Sequence, residues 1–273
     1  QNFREFVAKG VYTTDRLNIR SVKLYADGAL GSRGALMLEP YSDAPEKSGL
    51  QVNETGYLKE MCQKCYDAGY QVETHCIGDS ANRLILTIYK DILKTKNDRR
   101  WRIEHAQIIH PDDFRLFGEY NIIPSVQSTH ATSDMYWAGD RVGPVRIKGA
   151  YAYKQLMQEN GWIPNGSDFP IEQINPLFGF FAGFARMDPS GYPEGGWMME
   201  NALSREESLK AMTIWAAKSC FEEKERGSIE PGKMADFVVL DQNIMKIEPL
   251  NVPKTKVLET WIGGEKVFAA GER

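Results

Sequence analysis

Gln71-Val72-Glu73-Thr74-His75-Cys76-Ile77, followed at once by Gly78-Asp79-Ser80 and a stretch of helical apolar period, decides the fold. The first seven residues carry β-branched and apolar side chains in a run of strand length. The glycine breaks the run, and a helix follows. This is one βα unit. The pattern recurs at Ser21–Ala26, Arg102–Ala106 and Ile122–Val126, and again at Trp162–Pro164, which leads into Asn165-Gly166-Ser167-Asp168. Strand and helix alternate from about residue 20 to 218, which predicts a parallel sheet. In a parallel α/β barrel, reactive side chains gather at the C-terminal ends of the strands. Lys23, His75, His105 and Asp168 stand at or near such ends.

The connections sharpen this reading. A long Gly-rich loop runs from Asp27 to Gly49 and is expected to be functional, because loops of that length are rarely simple connectors. Helices are predicted over Asn53–Ala68, with Gly69 as terminator, and over Asp79–Lys96, capped by Asp79 or Ser80. A further helix is predicted over Pro111–Tyr120, with proline at its first position and Asp112 and Asp113 at its positive end. A second long loop is expected over Gln127–Lys148, followed by a helix to Asn160. Pro176–Ala185 and Ser204–Lys218 read as helices, the latter opened by a Ser204–Glu207 capping box. The tail changes texture. Glu230-Pro231-Gly232-Lys233 is a turn, Ala235–Leu240 a strand, and Gly263-Gly264 joins Val257–Ile262 to Lys266–Ala269 as a hairpin.

The chain of 273 residues has a net charge of −4 with both signs interspersed, which argues against a nucleic-acid or polybasic membrane-surface role. No apolar run approaches the roughly 20 residues that span a bilayer. Four cysteines, Cys62, Cys65, Cys76 and Cys220, are too few for a disulfide scaffold at this length. They indicate a reducing compartment, read here as the cytoplasm. The chain opens on Gln1, which predicts a cut or processed chain and leaves an upstream signal segment open. Cys62-x-x-Cys65 falls in a helical pattern and reads as two small residues on a helix flank rather than a zinc or redox pair.

A complete (β/α)8 barrel takes roughly 250 residues. Only five barrel strands are legible, because long loops and the β tail occupy the remainder. The expected fold is therefore α/β: a partial TIM-type barrel, about strands 4–8, over residues 1–218. Residues 219–273 are expected to form part of a small β-sandwich domain. Open sheet edges attract pairing, so a missing N-terminal segment or a homo-oligomer partner is expected to cover them.

Six passages carry a resemblance: Val22–Arg33, Thr74–Asp79, Arg102–Ala106, Val126–Asp134, Asn165–Pro170 and the tail Gly227–Leu240. Together, in this order and spacing, they resemble the metal-dependent amidohydrolase superfamily, and in it the YtcJ-like branch that includes N-substituted formamide deformylases. The resemblance implies that Lys23 is a metal ligand, carboxylated so that a carbamate bridges two metals. It implies that His75 and His105 are ligands, that Asp168 is both ligand and general base, and that His130 and Asp134 contact substrate. Asp27 and Arg33, in the Gly-rich loop, are the further expected substrate contacts. The competing reading makes Asp27-Gly28 a plain turn and Arg33 a packing residue. The family's early His-x-His pair has no counterpart, since the histidines are His75, His105, His110 and His130. One metal is therefore expected on this chain alone, zinc sooner than magnesium given imidazole ligands.

The chemistry suits these groups. Amide hydrolysis at neutral pH needs a nucleophile and a polarised carbonyl, and a divalent metal provides for both. A carboxylate such as Asp168 takes a proton from water and returns it to the leaving nitrogen. The expected reaction is hydrolysis of a carbon–nitrogen bond other than a peptide bond, in a small amide, formamide or cyclic amide. Two alternatives stay open: ester or phosphotriester hydrolysis on the same scaffold, and a catalytically incomplete fragment or non-catalytic binding protein. Each histidine taken singly also has a bland reading as a hydrogen-bonded core residue, and Lys23 as a plain strand-end lysine. His110, before Pro111, reads as a cap or surface residue. Trp137, Phe180, Phe181 and Trp197 either line an apolar pocket or pack the core.

Overall fold

The computed structural model describes residues 2–271. Helix α1 (Asn2–Lys9) precedes a two-stranded antiparallel ribbon, β1 (Tyr12–Thr13) and β2 (Asn18–Ile19). Then come β3 (Ser21–Tyr25), α2 (Thr55–Asp67), β4 (Gln71–Cys76), α3 (Asp79–Leu93), β5 (Arg102–His105), α4 (Phe114–Tyr120) and β6 (Ile123–Ser125). The helices α5 (Ser128–Asp134), α6 (Ala138–Arg146), α7 (Tyr153–Asn160), α8 (Pro176–Ala185), α9 (Arg205–Met212) and α10 (Ile214–Ser219) follow. The chain closes with β7 (Phe237–Leu240), β8 (Val257–Ile262) and β9 (Glu265–Ala269). Among the described residues no helix is long and apolar enough to cross a membrane.

By packing the chain divides into two compact units. One comprises residues up to 126 together with 136–161; the other comprises 127–135 together with 162 onward. The first is built on a parallel sheet of order β3-β4-β5-β6, so the fold is α/β as the alternation predicts. Register pairs Lys23 with Glu73, Tyr25 with His75, Glu73 with Arg102 and His75 with Glu104. Because strand side chains alternate between faces, these six residues share one face. Leu24, Val72, Thr74 and Ile103 occupy the other face and are buried. That second face meets α2 and α3. Buried Leu58, Met61, Cys62 and Cys65 of α2 recur at the spacing of one helical stripe. Thr74 Oγ1 bonds Tyr89 OH of α3 at 2.7 Å.

The long loop after β3 folds back onto the end of β4. A Cβ at Gly78 would lie 2.0 Å from Leu36 O, so only glycine admits this approach. Leu36 N–H and Leu38 N–H donate to Asp27 and Asp79 respectively. Asp79 therefore serves this tertiary bond rather than capping α3, whose N-cap is Gly78. The Cys62-x-x-Cys65 pair is buried on α2, and burial pushes each thiol up to about 12, as inert packing residues require. His110 caps the turn at Pro111 through Nδ1, which accepts from Asp112 N–H at 3.3 Å.

In the second unit α8 buries Leu177, Phe180, Phe181 and Ala185 with Ile244 and Val252. Phe180 and Phe181 are thus core and not pocket lining. Asn175 caps α8, and the Ser204–Glu207 capping box opens α9 as predicted. The β tail forms a three-stranded antiparallel sheet, β7-β8-β9.

Three local expectations are corrected. The helix over Ser204–Lys218 breaks at Thr213, whose Oγ1 takes the Leu209 carbonyl at 2.7 Å and whose backbone leaves the helical region. Residues 127–148 are not a loop but hold α5 and α6, the second interrupted at Gly143 and Pro144. The Ser/Thr-rich α5 has weak intrinsic propensity and is made helical by tertiary bonds. Residues 162–164 do not form a β-strand, and beyond them Asn165 N–H donates to Ala211 O at 3.0 Å.

Candidate metal centre

In the first unit, His75 and His105 come from the C-terminal ends of adjacent parallel strands. Strict alternation would separate them. Cys76 is the register partner of His105, and Cys76 points to the opposite face from His75. The backbone resolves this. His105 has φ 76° and Ala106 φ 42°, both in the left-handed region that side chains other than glycine seldom adopt. With the strand end turned this way, the two imidazoles meet edge to face, ring centroids 4.5 Å apart. His105 is 7% exposed.

Asp27 lies behind this pair. It is 1% exposed, and its Oδ1 is 3.6 Å from His75 Nε2. Its oxygens accept from Leu36 N–H at 2.9 Å, Ile77 N–H at 3.0 Å and Gly78 N–H at 2.8 Å. Burial pushes its carboxyl up to about 7, against the opposing pull of these hydrogen bonds. So placed, Asp27 ties the Gly-rich loop to the end of β4, beside the His75 ring. Lys23 shares the face of His75. Its exposed side chain puts Nζ 5.2 Å from the Tyr25 ring centroid, and Tyr25 in turn lies 5.3 Å from the His75 ring. Arg33 is elsewhere on the loop. Its guanidinium grips Asp43 with two bonds, 3.0 and 2.8 Å, and Asp43 is also bound by Arg141.

The second unit assembles another cluster. His130 sits in the first turn of α5, 9% exposed. Its Nδ1 is 2.9 Å from Glu172 Oε1 and its Nε2 is 3.5 Å from Asp168 Oδ2. Ser133 Oγ donates to the same Glu172 oxygen at 2.6 Å. Burial alone would lower the His130 pKa. The hydrogen bonds to Asp168 and Glu172, with the negative charges of Asp134 and Glu172, outweigh it and bring the pKa up to about 9. Burial works against ionisation of Glu172, and its bonds to His130 and Ser133 win, so its pKa is lowered. Asp168 itself has φ 57° and a side chain 38% exposed.

The expected residues thus sort by unit. His75, His105 and Asp27 come together in the first, with Lys23 on the same sheet face; His130, Asp168 and Asp134 come together in the second. Glu172 is the member of this cluster that sequence reading missed. Its only local signal is an acidic side chain four positions after Asp168, beyond the apolar Phe169-Pro170-Ile171.

The amidohydrolase family model matches residues 2–268. The chain belongs to the amidohydrolase family. Among its relatives, this amidohydrolase chain is 35% identical over 263 residues to Protein LONG AFTER FAR-RED 3 of Arabidopsis thaliana, covering 95% of this chain and 45% of that protein. It is 33% identical over 248 residues to the putative amidohydrolase YtcJ of Bacillus subtilis, covering 91% and 47%. A crystal structure of an uncharacterized metal-dependent hydrolase from Pyrococcus horikoshii superposes with a TM-score of 0.79 at 30% identity, covering 90% of this chain and 50% of that one. The amidohydrolase chain therefore spans about half the length of the curated relatives it matches.

Proposed function

We propose that this protein is a metal-dependent hydrolase of carbon–nitrogen bonds other than peptide bonds, acting on small amides, formamides or cyclic amides. The observation that carries the reading is the edge-to-face His75–His105 pair at the ends of β4 and β5, with buried Asp27 3.6 Å from His75. Two imidazoles with a carboxylate close to one of them are a donor set that fits a divalent ion. Family membership supports the hydrolytic class.

In this proposal His75 and His105 hold the ion, zinc in preference to magnesium. Lys23 joins them only as a carbamate, since an ammonium has no lone pair to give. When bound, the metal supplies Lewis acidity and a lowered pKa for water. Asp168, the further proposed ligand, is the general base: its Oδ2 takes a proton from water and returns it to the leaving nitrogen. His130, clamped by Glu172 through Nδ1, presents Nε2 to the Asp168 carboxylate at 3.5 Å. His130 and Asp134 are the proposed substrate contacts. Asp27 and Arg33 are reassigned from substrate contacts to scaffold, because one is spent on backbone donors and the other on Asp43.

The proposal keeps the division at residue 218 between a barrel portion and part of a β-sandwich domain. It also keeps a segment or second subunit covering β3, which lies at the edge of its sheet. A reducing, cytoplasmic setting is supported by four free thiols.

The experiment is elemental analysis of protein purified without chelator, with turnover measured on a panel of small amides and matched esters. Bound metal, at about one or two equivalents, and amide hydrolysis that chelator abolishes are the expected results. Failure to take up metal even after zinc addition would sink the reading. Ester hydrolysis without amide hydrolysis would move it to another bond.

A further inference from the structure

Between the segments that carry His130 and Asp168 stands one amide side chain. The first N–H groups of a helix have no partner within it, and Gln127 provides no side-chain cap for α5. The N–H of Ser128 donates instead to Asn165 Oδ1 at 2.7 Å. Ser128 lies two residues before His130, and Asn165 three residues before Asp168. Asn165 is itself held. Its N–H donates to Ala211 O of α9 at 3.0 Å. Its Nδ2 rests against Gly179 of α8, where an added Cβ would lie 2.9 Å away. One turn further along α8, a Cβ at Gly183 would lie 2.8 Å from Ser208 Oγ and 3.3 Å from Ser128 Oγ. Gly179 and Gly183 are four apart and so share a helix face. They form a notch that seats Asn165 and the start of α5.

We infer that Asn165 is a positioning residue, whose carboxamide, seated in the Gly179–Gly183 notch, sets the His130 ring against Asp168 by holding the N-terminus of α5. The importance of this role rests on the proposed hydrolase reading; the geometry does not. An amide is suited to the task. It presents an acceptor to Ser128 without placing a further charge beside Asp168, and its short side chain has few rotamers to restrain. Nothing in the local sequence requires it, since Asn165 reads equally as a turn residue before Gly166.

The test is nuclear magnetic resonance of the metal-depleted protein with 15N-labelled histidine at fixed pH. The four ring signals are told apart with a His130→Gln reference. Asn165→Ala removes the acceptor, and Gly179→Ala pushes on the amide without deleting it. The expected result is that Asn165→Ala shifts or broadens the His130 ring signals and leaves those of His75, His105 and His110 in place. Gly179→Ala gives a smaller shift of the same signals. Unmoved His130 signals in Asn165→Ala would overturn the inference, as would equal perturbation of all four histidines. If Asn165→Ala does not fold, Gly179→Ala decides: a shift confined to His130 supports the clamp, and no shift overturns it. Metal uptake and turnover do not enter this readout, so failure of the clamp and failure of the hydrolase reading are seen separately.

Discussion

His130 and Glu172 are joined through Nδ1 and Oε1 at 2.9 Å, forty-two residues apart in sequence, and this bond leaves Nε2 facing Asp168 at 3.5 Å. An imidazole between two carboxylates is strongly biased towards its charged form. Three groups thereby act as one unit: Glu172 orients the ring, and His130 carries the positive charge that faces the Asp168 carboxylate.

That unit gives metal-free protein a pH-dependent stability. The His130 pKa is about 9 in the folded chain against 6.5 for an unperturbed histidine. A raised folded pKa means the stabilisation is complete below pH 6.5 and is lost as pH rises through 9. The amount is about 2 kcal/mol once solvent access at Asp168 is allowed for. Urea unfolding at pH 6, 7.5 and 9 should show this decline, and Glu172→Gln should flatten it. A profile that is the same in both proteins would disprove the assignment.

Asp168→Asn should remove turnover, by roughly a hundredfold to ten-thousandfold, while leaving the melting temperature within a few degrees. An amide cannot accept the proton that the carboxylate takes. Activity surviving in a folded Asp168→Asn protein would rule out Asp168 as the base.

Metal retention should follow the imidazoles and not the thiols. His75→Ala and His105→Ala should each weaken binding by more than the roughly 10–100-fold that loss of an outer partner costs. Cys62→Ser and Cys65→Ser should leave it unchanged, since both thiols are packed inside α2. Equilibrium dialysis against zinc measures all four, and a cysteine dependence would redirect attention to the helix.

Asp27→Ala should destabilise the fold by about 2–4 kcal/mol, because three backbone N–H groups, two of them buried against β4, lose their acceptor. The loss should appear first as faster hydrogen exchange across the Gly-rich loop. Unchanged protection there would mean that the loop is held by other bonds.

The amino-acid sequence by itself determined the βα alternation, the strand ends that bear His75 and His105, the capping box of α9, and the antiparallel tail, whereas Lys23, expected at a strand end, lies in the middle of β3. These are encoded in periodicity and in turn residues, which act over a few neighbouring positions. It also carried enough of the family's spacing to point to candidate site residues. Tertiary structure decided the rest. The positive φ at His105 brings two imidazoles together that alternation would part. Asp27 is drawn from a loop into the scaffold by backbone donors nine to fifty-one residues away. Glu172 finds His130, and Asn165 finds Ser128, across 42 and 37 residues. A hydrogen bond over such a separation leaves no periodic trace in the chain. It exists only once packing has brought its two ends to within 3 Å or so of each other.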